Sequence, residues 1–420
     1  MKKKARLSAC AGCALLLCFV LAGCTAEELL NDIPRELALM MENRESAAVQ
    51  SPEAEGSDGA AQAEIVRESF LMEEAHHYAY RTLSAAEAVW YRDIEEILGN
   101  FEEKVHLSGT GMEAGLTVDN IDKIFQCVLN DHPELFYVDG YSYVKYMKNS
   151  KEGVKEIIDF SGTYNVDYEE AVLRRQEIEA AAAEILSEIS PEASDYEKIK
   201  YVYDTVAVKT DYDLDAADNQ NIYSVFVNHR SVCQGYAKAT QYLLNRLGVE
   251  CTLVLGSVYT GDRHAWNLVK ADGSYYYVDT TWGDAFYQME DGDSERTYDM
   301  PEINYDYLNV TTSELLRTHK IDNIVPVPEC VATEANYYVR EGSYFSFYDR
   351  EQMKEVFDRA AASGRADVTV KCADEICYQE ILSALVDERE IFDYMGGGGK
   401  KVAYAQNEKQ LSLTFWVTND

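Results

Sequence analysis

The sequence predicts an α+β fold that joins a cysteine-bearing helix to an antiparallel hairpin, with a mainly helical region before it and a small α/β module after it. Three observations carry this reading. Cys233 opens a run with apolar positions at Tyr236, Leu243, Leu244 and Leu247 and a stop at Gly248, the period and punctuation of an amphipathic helix. Residues 264–270 and 274–281 read as strands on either side of Asp272-Gly273, a strong two-residue hairpin signal. The flanks differ in pattern: helical periodicity dominates residues 65–190, whereas helices and alternating strands mix over residues 330–420.

Taken in order, Lys2, Lys3, Lys4 and Arg6 precede an apolar run over residues 9–20, which predicts a secretory signal over residues 1–23 and is too short for a spanning helix. The run ends in Leu21-Ala22-Gly23-Cys24, a tetrad that resembles a bacterial lipobox. That resemblance implies cleavage before Cys24, lipidation of its thiol, and a mature protein tethered at the extracellular face of the cytoplasmic membrane. Residues 24–64 then form the tether. Residues 42–64 are rich in Ala, Glu, Ser, Gly and Gln and lack the apolar content to fold. A flexible segment of about 40 residues reaches about 35 Å.

Within residues 65–190, Ser84 and Glu87 form a capping box before a helix with Val89, Ile94, Ile97 and Leu98 on its apolar stripe. Ile121, Ile124, Phe125, Val128 and Leu129 mark a second helix, ended by His132-Pro133. Residues 141–147 and 156–160 alternate as strands do, and residues 169–189 are a long Ala-rich helix. His76-His77 invites a metal reading, but no carboxylate-histidine pattern accompanies it, so packing is expected.

Residues 191–325 hold the candidate chemistry. A second capping box, Ser194 with Glu197, opens a helix that turns Ile199, Val202 and Val206 inward. Asp211, Asp213, Asp215 and Asp218 invite calcium, but an EF-hand loop from Asp211 requires Gly where Ala216 stands and Glu where Ile222 stands, so a solvated loop is expected. Cys233 then falls in the first turn of its helix, where unsatisfied amides and the helix dipole favour the thiolate, the reactive species. Residues 253–255 read as a buried strand. If the hairpin turn pairs Ala271 with Ser274, Trp266 faces Asp279 and His264 faces Thr281. His264 and Asp279 are then diagonal neighbours about 7–8 Å apart, which an imidazole and a carboxylate can bridge. Singly, a helix Cys, a strand His and a strand-end Asp each have an ordinary packing explanation. Together they form a relay of nucleophile, base and orienter. His319 follows a helical turn, and the sequence offers it no partner.

In residues 330–420, Asp349 and Gln352 cap a helix with Met353, Val356, Phe357 and Ala360 inward, stopped by Gly364. Residues 368–372 alternate as a strand, a helix is expected over residues 374–392, and residues 402–405 and 411–417 form a hairpin around Asn407-Glu408. Nothing there carries chemistry, so binding or spacing is the expected role.

Three motifs of the central region, Val232-Cys233-Gln234-Gly235-Tyr236-Ala237, His264-Ala265-Trp266-Asn267 and Val278-Asp279-Thr280-Thr281-Trp282-Gly283-Asp284, resemble in order and spacing the core of the transglutaminase-like superfamily. The resemblance covers about residues 195–320. It implies a papain-like fold and a cell-surface thiol enzyme acting on peptide or protein amide bonds, cell-wall or surface proteins among them, with a Cys233-His264-Asp279 triad. Gln234, Tyr236, Trp266 and Trp282 are the residues expected to bind substrate. The Cys233 amide is a candidate oxyanion donor, with Gln234, Tyr223 or Asn221 as the second. No cofactor and no metal are expected. The family includes proteases, amide hydrolases, cross-linkers and inactive members, so the fold alone does not choose the reaction. The short loop 259–263 before His264 offers little shelter from water, which favours hydrolysis. The alternatives are a protein-glutamine transglutaminase and a non-catalytic surface scaffold.

Composition narrows the partners. With 74 acidic against 38 basic residues, the net charge is −36, and removing the signal takes away only basic groups. Such a surface repels nucleic acid and anionic lipid. Residues 396–400 end in Gly-Lys, but Tyr394 stands where a phosphate loop needs its first Gly. Of ten cysteines, Cys10, Cys13 and Cys18 leave with the signal and Cys24 is the anchor, leaving Cys127, Cys233, Cys251, Cys330, Cys372 and Cys377. A free Cys233 leaves an odd number, and the spacings match neither a zinc site nor a disulfide scaffold, so no structural disulfide is expected.

Overall fold

A computed structural model describes residues 77–150, 153–284, 301–322, 324–395 and 401–418. The signal, Cys24, the tether, His76 and residues 396–400 lie outside the described residues. Chain contacts divide the molecule into two compact units: of the described residues, the first takes 84–125 and 138–165, and the second takes the rest.

In the first unit, helix α1 (Ala85–Gly99) begins at the expected capping box. Ser84 Oγ accepts from the Glu87 amide at 3.3 Å and the Glu87 carboxylate accepts from the Ser84 amide at 2.8 Å. The helix buries Trp90, Tyr91, Ile94, Ile97 and Leu98. Strand β1 (Val105–His106) is followed by α2 (Ile121–Asp131), which begins in this unit and ends in the second. Strands β2 (Val138–Ser150) and β3 (Gly153–Tyr164) form a hairpin, with β1 on the outer side of β3. These strands run well beyond the alternating stretches visible in the sequence, and Val144, Met147 and Val154 on them are exposed.

The second unit contains α3 (Tyr168–Ser187), α4 (Asp195–Lys209) and a short parallel pair, β4 (Asp211–Tyr212) with β5 (Arg230–Ser231). The second capping box forms as expected at Ser194 and Glu197. In the aspartate loop, Asp213 pairs with Arg230 and Asp218 with Arg174. Helix α5 (Cys233–Arg246) packs on a five-stranded antiparallel sheet of order β10-β6-β7-β8-β9. Its strands are β6 (Cys251–Val258), β7 (Arg263–Ala271), β8 (Ser274–Val278), β9 (Leu308–Val310) and β10 (His319–Ile321). The β7–β8 turn pairs Ala271 with Ser274, the register expected. The strand ends at Val278 rather than continuing to 281, because Asp279 caps a single helical turn, α6 (Thr280–Gly283), and draws the chain out of the ladder.

The remaining chain of this unit builds a four-stranded sheet of order β11-β12-β14-β13 from β11 (Tyr344–Phe345), β12 (Asp367–Cys372), β13 (Lys401–Asn407) and β14 (Ser412–Thr418). Helices α7 (Arg350–Ala362) and α8 (Glu375–Leu382) cover it, around a core of Phe345, Met353, Phe357, Tyr378, Leu413 and Phe415. The single helix expected over residues 374–392 is interrupted. After α8 comes a wider turn at Ser383–Asp387, and Arg389 at φ 63° takes a left-handed conformation that no right-handed helix can absorb.

Candidate active site

Cys233 is the first residue of α5, and it is half-buried while the helix behind it is interior. The turn that follows it depends on glycine. A Cβ at Gly235 would stand 1.9 Å from Ser231 Oγ and 3.2 Å from the carbonyls of Asn219 and Asn221, so only glycine lets the nucleophile's helix seat against that loop. Asn267 fixes the same helix to the sheet, its Nδ2 donating to the Ala237 carbonyl at 2.9 Å. Thr240 and Thr280 tie it to α6 at 3.0 Å.

Asp279 is the centre of the site. Its Oδ1 accepts from the Thr281 and Trp282 amides at 3.0 and 3.1 Å, as a helix cap does. Its Oδ2 accepts from His264 Nε2 at 2.7 Å and from His319 Nε2 at 3.1 Å. The carboxylate is 1% exposed and both imidazoles are buried. The Cys233 side chain also interacts with the His264 imidazole, whose Nε2 is taken by Asp279.

Burial opposes charge on His264, but the Asp279 carboxylate outweighs it, with help from Cys233, and pushes the imidazole up to about 10. Burial likewise opposes charge on Asp279, but the two imidazoles hold its carboxyl well below the usual carboxylate range. An imidazolium kept across neutral pH is the proton donor that a leaving amine needs. The linkage has a definite sign. A raised His264 contributes stability that is complete below the ordinary value of 6.5 and is lost as pH rises through about 10. Wild type should therefore become less stable between these limits, by about 1.4 kcal/mol for each pH unit crossed. Denaturant unfolding at stepped pH tests this; a His264→Gln variant with the same pH dependence would contradict it.

The residues expected to bind substrate are placed unequally. Gln234 is half-buried beside Cys233. Trp282 is 6% exposed, lies 5.9 Å from the His264 ring and 4.8 Å from the His319 ring, and lines a cavity of about 290 Å³. Tyr236 and Trp266 are corrections, since both are wholly enclosed. Tyr236 donates its hydroxyl to the Thr210 carbonyl, and Trp266 supports both imidazoles from within at 5.9 and 4.9 Å. Their indole and phenol faces are packing surfaces, a use that aromatic spacing does not distinguish from a cleft wall. Tyr223 donates its hydroxyl to Glu177 at 2.8 Å, and Asn221 Oδ1 accepts from the Tyr223 amide, so these groups build their own loop.

His319 is the member that the sequence concealed. It lies 40 positions after Asp279, at the start of an edge strand paired with β6, and no motif surrounds it. His264, Asp279 and His319 present ligand-type atoms within 4.8 Å of one another, the spacing an ion requires. Those atoms are already engaged in the two hydrogen bonds to Oδ2, in a buried setting beside Trp266, Trp282 and Tyr307. Among the described residues all six cysteines are free, and only Cys233 is not buried.

Residues 180–280 match the model of the Transglutaminase-like superfamily. Kyphoscoliosis peptidase of Mus musculus is 26% identical over 123 residues, which are 25% of this chain and 19% of that protein, so the chain spans about a fifth of that curated relative's length. Among solved structures, one described as a TGase aligns at 18% identity over 39% of this chain and 49% of its own, with a TM-score of 0.24. The periplasmic domain of TgpA from Pseudomonas aeruginosa aligns at 13% identity over 36% of this chain and 66% of its own, with a TM-score of 0.20.

Proposed function

We propose that this chain, with a transglutaminase-like domain at residues 180–280, is a thiol enzyme that cleaves peptide or protein amide bonds. One observation carries the reading: a buried imidazole bonded to a buried carboxylate and interacting with a half-buried cysteine at a helix start. Cys233 sulfur attacks the amide carbonyl carbon. As the carbon–nitrogen bond breaks, the His264 imidazolium gives its proton to the departing amine, leaving a thioester on Cys233. Water then attacks the thioester while His264 takes its proton, releasing the carboxylic acid and the thiol. The Cys233 backbone amide, one of the helix-start amides without an intrahelical acceptor, is placed to donate to the oxyanion.

Hydrolysis is favoured over transfer to an amine because cross-linking requires water to be kept from the acyl-enzyme, and the Tyr259 side of the loop before His264 is exposed. The test is to incubate wild type and Cys233→Ala with a peptide library, with and without a labelled primary amine, and to follow products by mass. Cys233-dependent cleavage without amine incorporation is expected. Amine incorporation at Gln side chains would replace the reading with a transglutaminase, and no turnover of either kind would replace it with a surface scaffold.

The Leu21-Ala22-Gly23-Cys24 tetrad supports a lipid anchor at Cys24 holding the enzyme on the extracellular face of a bacterial cytoplasmic membrane. The natural product should then partition into detergent and Cys24→Ala should be released or misprocessed. An unmodified mature N-terminus at any other residue would remove the tether.

A further inference from the structure

We propose that His319 is a positioning residue for the triad, held in its donating form by a polar chain that reaches Gln410 in the second sheet. The inference rests on the thiol-relay reading above, and it gives the C-terminal module a part in the site.

The chain can be followed bond by bond. Gln410, 0% exposed, donates through Nε2 to Thr318 Oγ1 at 3.4 Å and to the Glu314 carbonyl at 3.2 Å. Tyr307 OH also lies 3.3 Å from Thr318 Oγ1. Thr318 Oγ1 is 2.8 Å from His319 Nδ1, and His319 Nε2 is 3.1 Å from Asp279 Oδ2. An amide nitrogen only donates, so Thr318 accepts from Gln410, and its single hydrogen has the Leu315 carbonyl at 3.4 Å and His319 Nδ1 at 2.8 Å within reach, of which the shorter contact takes it. With Nδ1 accepting, the proton of His319 sits on Nε2 and points at Asp279. A hydroxyl thus selects the tautomer that gives Asp279 Oδ2 a second donor, and Oδ2 is the oxygen on which His264 turns.

The far end is anchored as firmly. Gln410 Oε1 accepts from Lys371 Nζ at 3.1 Å, and Lys371, also 0% exposed, lies 3.5 Å from Asp306. Asp306 in turn accepts from Asn407 Nδ2 at 2.8 Å and Ser412 Oγ at 2.6 Å, on the two strands flanking the turn that carries Gln410. Gln410, Thr318, His319 and Asp279 are each buried, which strengthens the bonds between them.

The test measures alkylation of Cys233 by iodoacetamide in the full chain, which needs no substrate. It therefore reports on His319 even if the chain proves not to cleave amides. His319→Leu, which lacks both nitrogens, should slow Cys233 labelling at pH 7 by about 10–100-fold, the effect that outer-shell partners of an imidazole carry. His319→Gln, which retains a donor, should recover most of the rate. Thr318→Val, equal in shape but without the hydroxyl, should fall between wild type and His319→Leu, and it carries the test if His319→Leu does not fold. Gln410→Leu should shift the rate in the same direction as Thr318→Val. Wild-type labelling in His319→Leu or Thr318→Val overturns the proposal. So does equal slowing by His319→Leu and His319→Gln, which would reduce His319 to a filler of space.

Discussion

Asp279→Asn is expected to lower amide cleavage by about 10³–10⁴-fold in kcat, the scale on which an orienting carboxylate acts in nucleophile–imidazole relays. The loss follows from the hydrogen bonds around one side chain. Four donors converge on it: two backbone amides on Oδ1 and two imidazole nitrogens on Oδ2. An asparagine supplies one oxygen and one NH2, so whichever way it turns, a donor faces a donor. The amides are held by α6, so the NH2 is set against the imidazoles and His264 Nε2 must accept, which puts the proton of the neutral ring on its other nitrogen and leaves it unable to take a proton from the thiol. Asp279→Ala removes every acceptor and should also cost about 3–5 kcal/mol of stability, because both imidazole Nε2 atoms stay buried without the carboxylate they face. Steady-state kinetics and denaturant midpoints measure both; Asp279→Asn with wild-type turnover would refute the relay.

Gly256→Ala should destabilise the protein by about 3 kcal/mol, at the upper end for one added methyl group. Gly256 pairs with His264 on one side and with Ile321 on the other. A Cβ there would lie 2.0 Å from the Lys320 carbonyl oxygen and 2.5 Å from Trp266 Cη2. The carbonyl belongs to the backbone of β10 and cannot swing aside as a side-chain tip does. The edge strand must therefore shift, and His319 is the residue before Lys320. Activity should fall further than the loss of stability explains. Urea unfolding of Gly256→Ala within about 1 kcal/mol of wild type would show that the sheet edge is softer than this.

What the sequence made legible was local. Asp272 at φ 50° and Gly273 at φ 85° are the two left-handed positions of a tight hairpin turn, so the dipeptide named its own geometry and the Ala271–Ser274 register with it. The capping boxes at Ser84 and Ser194 were readable for the same reason, since each bond spans three residues. The box at Thr311 and Glu314 carries the same local signal. The concealed parts depend on distance along the chain. His319 reaches Asp279 across 40 positions and Gln410 reaches Thr318 across 92, and no periodicity encodes such meetings. Tyr236 and Trp266 were misplaced because a motif aromatic beside a nucleophile has the same pattern whether it faces a cleft or a core. The end of β8 was misplaced because the carboxylate that serves the imidazoles also caps α6.

The reach of Gln410 also sets an order of events during synthesis. A chain made from its N-terminus presents Cys233, His264 and Asp279 while the β13–β14 turn is still unmade, and the last support of the triad arrives only when residue 410 does. Until then the three reactive groups are in the chain but unpinned. Under the proposal for His319, this support is therefore drawn from the part of the chain that is made last.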